Sequence, residues 1–336
     1  MSTQYSRERR GPWIALASLL LLAAPWSLVH AGKTISERRS AEAQGSIEIV
    51  NISGSVEIDA WDKPEVEVTG TAGDQVDRVD VTGSGGMTSI RVVEHGGMSM
   101  GGDGSANLII RVPARSRISA TVVSANLKVA GLQGDVKLQS VSGDLSGDAG
   151  GDVRASTVSG SIRLTARAAK MTEVKTISGD VTLNGGGGEL EVTTVSGDVR
   201  LQLATLTRVR LKSISGDLSA SLALSADGQL DGESVSGTVT LDFAGTPAAD
   251  FDLQTISGDI DNCFGPKPLE PRHGSGSRLN FKNGDGSAHV RVSTKSGDVK
   301  MCDKGAHVGR ASLFERATPV ERATPVLARI ELPYII

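Results

Sequence analysis

Between residues 124 and 303, apolar and polar positions alternate in short runs that keep step with glycine. Two residues after each of a series of glycines stands an aliphatic side chain: Leu145, Ile162, Val181, Val199, Leu218, Val239, Ile260 and Val299. Four residues after them stands mostly leucine, as at Leu164, Leu183, Leu201 and Leu241, with Arg163, Thr182, Arg200, Ser219 and Thr240 in between. A period of two turns one face of a strand inward and the other to water, so these runs predict half-buried β-strands.

The glycines are the clearest repeat. Ser-Gly followed by Asp, Ser or Thr recurs at Gly143, Gly160, Gly179, Gly197, Gly216, Gly237, Gly258 and Gly297, with an earlier copy at Gly54. From Gly143 to Gly258 the steps are 17, 19, 18, 19, 21 and 21 residues, and a degenerate copy, Ser124-Ala125-Asn126, comes first. Three residues before the glycine there is always a hydroxyl: Ser140, Thr157, Thr176, Thr194, Ser213, Ser234, Thr255 and Thr294. Half-period turns at Gly134, Gly151 and Gly188 divide a repeat into two strands of about five or six residues. Strands this short cannot bury an apolar face alone, so equivalent strands must stack about 4.8 Å apart.

The expected fold is therefore all-β: a parallel β-solenoid of roughly 18 to 21 residues per coil, with an irregular β N-terminal region. The crossover rule makes the coil right-handed. Glycine would supply positive φ in the turn, Ser and Asp would hydrogen-bond the turn's own backbone, and the hydroxyl column would form a ladder between coils.

Around this core the chain divides into five parts. Residues 1–31 read as a signal peptide: Arg7, Arg9 and Arg10, an apolar stretch from Trp13 to Ala24, and a small-residue cleavage site at Val29-His30-Ala31. A retained anchor and twin-arginine export are the alternatives, but Pro25 breaks the apolar run and Gly11-Pro12-Trp13 follows the arginines. Residues 32–44 lack alternation and are expected as a mobile linker, and 45–123 as irregular β coils or a cap that hides the open edge of the stack. Residues 124–303 are the solenoid repeats. Residues 304–336, with a tandem Glu-Arg-Ala-Thr-Pro-Val duplication at 315–326, are an irregular tail.

Composition agrees. With 41 glycines in 336 residues an all-α fold is excluded, and three Trp, two Tyr and five Phe fit a narrow aliphatic core. Without the signal the chain keeps 32 basic against 38 acidic residues, which with export excludes nucleic acid as a partner. The mature chain is expected to hold no stable membrane span.

Candidate chemistry is sparse. Asp144, Asp180, Asp198, Asp217, Asp259 and Asp298 would stack in one column, as turn caps or as a calcium ladder. Ser161 and Thr238 interrupt the column, which favours caps. Gly97-Met98-Ser99-Met100-Gly101 matches a nucleophile elbow, yet Gly102-Asp103-Gly104 follows where a helix must start. His95, His273, His289 and His307 have no metal-ligand spacing. No catalytic, metal or cofactor residue is assigned, and no cofactor is expected.

The two cysteines carry one structural expectation. Cys263 and Cys302 each lie five residues after a column glycine, at an outward offset, so on adjacent coils they fall within disulfide reach in an oxidising compartment. The 39 residues between Gly258 and Gly297 are twice a coil. Residues 264–283, with Pro266, Pro268 and Pro271, are therefore expected to leave the stack as a loop or side hairpin, with Ala288 to Lys295 as the returning strand.

With these columns in hand the chain resembles the bacterial β-strand-repeat family catalogued as a domain of unknown function and labelled putative adhesin. The resemblance rests on Gly45-Ser46-Ile47-Glu48-Ile49, Asn51-Ile52-Ser53-Gly54-Ser55-Val56-Glu57-Ile58, Ala60-Trp61-Asp62-Lys63-Pro64-Glu65-Val66, Arg111-Val112-Pro113 and the serial Ser-Gly-Asp-Val turns, over residues 45 to 303. It implies an exported repeat protein and transfers no catalytic residue. The expected function is a non-enzymatic surface for binding or adhesion in the cell envelope, periplasmic or secreted. Its partner would be an envelope protein or a surface polymer. The alternatives are a scaffold or sensor of envelope homeostasis that binds a protein, and a polysaccharide-active enzyme.

Overall fold

The computed structural model describes residues 32–84, 86–95, 102–269 and 276–303. The expected signal peptide, the C-terminal tail, the Gly97–Gly101 motif, His273 and His307 lie outside the described residues. The protein is all-β. Its N-terminal strands are β1 (Lys33–Ser40), β2 (Ser46–Trp61), β3 (Glu65–Ala72), β4 (Val76–Ser84), β5 (Met87–Glu94), β6 (Ala106–Pro113) and β7 (Arg117–Leu132). The repeats follow as β8 (Val136–Ser142), β9 (Leu145–Ala149), β10 (Val153–Ser159), β11 (Ile162–Ala166), β12 (Met171–Ser178), β13 (Val181–Gly185) and β14 (Gly188–Ser196). Then come β15 (Val199–Ser215), β16 (Leu218–Ser236), β17 (Val239–Phe243), β18 (Ala249–Ser257), β19 (Ile260–Asn262), β20 (Ser277–Lys282), β21 (Ala288–Ser296) and β22 (Val299–Asp303).

Each repeat gives one strand before its column glycine and one after it, and each kind pairs with its own kind. Before the glycine, Val136 lies opposite Val153, Val153 opposite Thr172, Thr172 opposite Leu190, Leu190 opposite Val209 and Val209 opposite Leu230, all in parallel. After it, Leu145, Ile162, Val181, Val199, Leu218 and Val239 stand in a second parallel row. The alternation read from the sequence is the observed burial: Val136, Leu138 and Ser140 are inside and Lys137 outside, while Leu145 and Ala149 face in from the next strand. One continuous aliphatic core results, running from Ile35 to Met301.

The column glycines are required twice over. Gly216 has φ +121°, where an L side chain is strained, and a Cβ there would sit 2.3 Å from the carbonyl oxygen of Gly197 in the preceding unit. The hydroxyl column is buried, but it is not a ladder. Thr255 Oγ1 donates to Gly297 O at 3.0 Å, whereas the hydroxyls of Ser140, Thr157, Thr176, Thr194, Ser213 and Thr294 have no hydrogen-bond partner among the described residues.

At both ends, stacking order departs from chain order. The first repeat strand, β2, lies inside the stack: it pairs in parallel with β7 on one side and with β5 and β6 on the other. Antiparallel β4 and β3 then cover β5 and β6, and β1 pairs antiparallel with β3. The expectation of a linker over 32–44 is thus corrected, because residues 33–40 are a strand. Its pattern is nearly all exposed, with only Ile35 buried, which is why no alternation marked it. β1 also blunts the free edge of β4: Lys33 Nζ donates to Asp77 O at 2.6 Å and Arg39 Nε to Val81 O at 3.2 Å.

The C-terminal end mirrors this. β21 pairs in parallel with β16 on one side and β18 on the other, and β22 fits in the same way between β17 and β19. The last unit, around Gly297, therefore sits between the units of Gly237 and Gly258, and the final step of 21 residues is not a stacking step. The segment expected outside the stack is also corrected. Residues 277–282 form β20, which pairs antiparallel with β18 and ends the stack, because Leu279 is apolar enough to bury against it. Four phenylalanines close this end, with Phe251 stacked on Phe281 at 4.6 Å and Phe243 and Phe264 edge-on to Phe251 at 6.5 and 5.7 Å.

Cys263 and Cys302 are joined, with Cα atoms 4.9 Å apart, tying the Gly258 unit to the inserted Gly297 unit. Cys263 is exposed as expected. Cys302 is buried, since its outward position is covered between Cys263 and Asp242 of β17.

Candidate binding face

The strands that precede the column glycines turn one residue outward two places before the glycine, just where the chain leaves the sheet. In unit after unit that residue is aliphatic and exposed: Ile52, Val123, Val141, Val158, Ile177, Val195, Ile214, Val235 and Ile256. Neighbours lie on successive parallel strands, so the nine make a single column along the stack, broken once by Lys295 of the inserted β21 between Val235 and Ile256. Each is between 37% and 57% exposed, so roughly half of every residue faces water. β-Branched residues suit the position because they fit an extended, pleated backbone. An outward apolar column of this length is nonetheless unusual, since exposed large aliphatic residues normally lie scattered singly, and contiguous apolar patches larger than a few hundred Å² mark interaction sites.

The column borders a groove of about 580 Å³ that crosses five strands, with Val195, Ile214, Val235 and Ile256 along it and Lys212, Glu233 and Lys295 at its rim. Farther from the glycine corner the same face is charged in both signs. Arg154 Nε lies 3.4 Å from Glu173, and Lys175 also hydrogen-bonds Glu173. The Lys175 hydrogen bond first, and then the charges of Lys175 and Arg154, hold the Glu173 carboxyl below its usual value against partial burial. Lys212 and Glu233 pair at 3.1 Å beside the groove.

The aspartate column is resolved as a set of caps, though not of the expected kind. Five of the six carboxylates, all but that of Asp259, accept from the backbone of the next unit in the stack rather than from their own turn. Asp144 Oδ1 takes the Ser161 amide at 2.8 Å, Asp180 the Asp198 amide at 3.0 Å, Asp198 the Asp217 amide at 3.1 Å and Asp217 the Thr238 amide at 2.8 Å. Asp298 takes the Asp259 amide at 3.0 Å, and Asn126 does the same for Asp144. Among the described residues no group of three or more His, Cys, Asp or Glu is placed to hold a metal ion. The column glycines, the aspartates and the cysteines thus all lie in the joints between units. The exposed face belongs to residues outside the turn and cysteine positions, although the signal is in the sequence: an aliphatic residue in the outward phase of every copy but that of Gly297, which has Lys295.

A second electrostatic feature lies at the N-terminal end. Glu67 of β3 is buried between its cross-strand neighbours Arg38 and Arg111, accepting from Arg38 Nε at 2.7 Å and Arg111 Nη1 at 2.8 Å. The Arg38 hydrogen bond first, opposed by burial and helped by Arg111, holds the Glu67 carboxyl below the ordinary carboxylate range.

Stacked strand units joined by Ser-Gly corners place the chain in a class of repetitive β proteins whose surface is regular. The chain belongs to the Toastrack DUF4097 family, whose model matches residues 45–301. No curated protein matches it. Among solved structures it is similar to a putative adhesin from Parabacteroides distasonis, with 13% identity and a TM-score of 0.41 over 80% of this chain and 97% of that one. A putative adhesin from Bacteroides fragilis aligns with 10% identity and a TM-score of 0.39, over 81% and 97% of the two chains. A putative lipid binding protein from Parabacteroides distasonis aligns with 13% identity and a TM-score of 0.35, over 80% and 98%.

Proposed function

We propose that the protein is an exported, non-enzymatic β-solenoid that presents a repetitive surface for binding or adhesion in the cell envelope. The in-register parallel ladders support a continuous right-handed coil over residues 124–303, with 45–123 as its N-terminal coils and cap. In this reading residues 1–31 direct export and are removed, residues 304–336 are a tail, and the Cys263–Cys302 bond staples the C-terminal coils. The observation that carries the binding role is the aliphatic column from Ile52 to Ile256, kept in water by a chain that buries its other aliphatic columns.

Fractionation of cells expressing the full chain tests the location, with the envelope or the medium expected and retention in the cytoplasm overturning it. Binding tests the role. Purified exported chain is expected to bind whole cells or isolated envelope, and Val158→Lys with Ile177→Lys is expected to abolish that binding while the β-sheet circular dichroism is kept. Undiminished binding by a folded double variant would remove the column from the function, and turnover of a polysaccharide would replace a binding role with a catalytic one.

A further inference from the structure

We propose that the partner of the aliphatic column is a second copy of this chain, held face to face about a two-fold axis that runs the two stacks antiparallel. The proposal rests on the column being the binding surface and adds what binds there.

The first argument is pitch. Outward side chains on adjacent parallel strands repeat about every 4.8 Å, along a line perpendicular to the strands. An extended peptide laid along that line presents like-facing side chains every 6.6 to 6.8 Å or so, and after two or three residues its side chains fall on top of the column rather than between its members. A second copy has the same pitch by construction. Its valines and isoleucines can settle into the gaps of the first column over the whole length, as knobs between knobs.

The second argument is area. The column spans ten stacked strands including the Lys295 position, nine steps and so about 43 Å. The strands behind it are seven residues long or more, as at Val136–Ser142 and Val153–Ser159, which makes the face about 23 Å wide. That is on the order of 1,000 Å² for each copy, above the roughly 800 Å² per partner of a standard interface. A narrow ligand touching the column alone would leave most of it uncovered.

The third argument is charge. The outward rows beside the column carry Arg154 and Arg210 as well as Glu173, Glu191 and Asp231, with the Lys212–Glu233 pair nearest the groove. Both signs are interspersed, so a like face meets no field of one sign as it approaches. An antiparallel two-fold arrangement is isologous and closes after two copies, so it leaves no repeated open face to grow a filament.

Sedimentation velocity of the purified exported chain from 1 to 100 μM is the test. A concentration-dependent species of twice the chain mass is expected. Val195→Lys with Ile214→Lys, at the groove end of the column, should weaken self-association at least tenfold. Val195→Thr with Ile214→Thr keeps the β-branched shape and guards against misfolding, and should weaken it about threefold to tenfold with an unchanged thermal midpoint. A chain that is monomeric at 100 μM, or a dimer that both variants leave at parental strength, overturns the proposal. A monomer that still loses envelope binding in the lysine variants overturns the second copy while leaving the binding face in place. Column-dependent binding of the monomer to phospholipid vesicles does the same and assigns the face to a lipid surface.

Discussion

The two ends of the stack solve one problem with different chemistry. At each end a terminal repeat is tucked inward, beneath parallel strands that are covered in turn by antiparallel ones: β2 lies beneath parallel β5 and β6 and then antiparallel β4 and β3, and β21 with β22 beneath parallel β18 and β19 and then antiparallel β20. The N-terminal cover is locked by ions, with Glu67 between Arg38 and Arg111. The C-terminal cover is locked by a disulfide and a cluster of four phenylalanines. Topology sets what must be protected, and local chemistry sets which conditions release it. The N-terminal lock therefore answers to pH and salt, and the C-terminal lock to reductant.

The comparison is scaled by a lesion in the shared middle. Gly216→Val adds backbone strain at positive φ and drives a branched side chain onto the carbonyl of Gly197, a loss of about 3–5 kcal/mol that should lower the urea midpoint and weaken hydrogen-exchange protection on both sides of the site. Reduction of the Cys263–Cys302 bond, or Cys263→Ser with Cys302→Ser, should cost about 2–4 kcal/mol for a loop of 39 residues. The effect should fall on β18 to β22 and leave exchange in β1 to β4 unchanged, and equal loss at both ends would break the comparison. Asp198→Ala should cost about 0.5–1.5 kcal/mol through the unmet Asp217 amide. Millimolar calcium should move the thermal midpoint of neither parent nor variant, and a calcium-dependent rise in the parent alone would reinstate the metal reading of the aspartate column.

The smallest expected effect is confined to β1. The folded Glu67 carboxyl lies below its ordinary value, so the clasp contributes fully above that ordinary value and is lost as pH falls through the lower folded one. Glu67→Gln should speed amide exchange in residues 33–40 at neutral pH, and remove the acid-dependent opening of that strand expected in the parent, with little change in the global melt. An unchanged exchange rate would show that β1 is held by its ladder alone.

What the sequence could reveal follows from what its periodicities encode. A period of two locates strands and their inner faces, and the spacing of Gly143 to Gly237 gives the size of a unit, so the repeat core and the placement of Cys263 near Cys302 were legible. Spacing says nothing about the order in which equal units stack. The 39 residues between Gly258 and Gly297 suit a unit placed before its predecessor as well as one placed after it, and the edges that decide it are backbone groups common to all units. β1 was hidden for another reason. An edge strand wetted on both faces has no apolar phase, and Lys33 to Ser40 reads as linker until Arg38 is seen on Glu67. The column from Ile52 to Ile256 was fully visible as letters. It was missed because outward positions are expected to be polar, and an apolar residue there looks like a turn-flanking choice until its exposure is measured.

The inward placement of the last repeat also sets a timetable. The gap between β16 and β18, and between β17 and β19, cannot be filled until residues 288–303 have been made and delivered, so strands that are neighbours in sequence must wait for one that is not. Closing it is a long-range step of high contact order, which comes late and slowly. Until then two ladder edges stand open in the new chain, a hazard for aggregation. Arrival of the C-terminal strands ends the exposure, and the same event brings Cys302 to Cys263. In this protein oxidation can therefore report that the stack has closed.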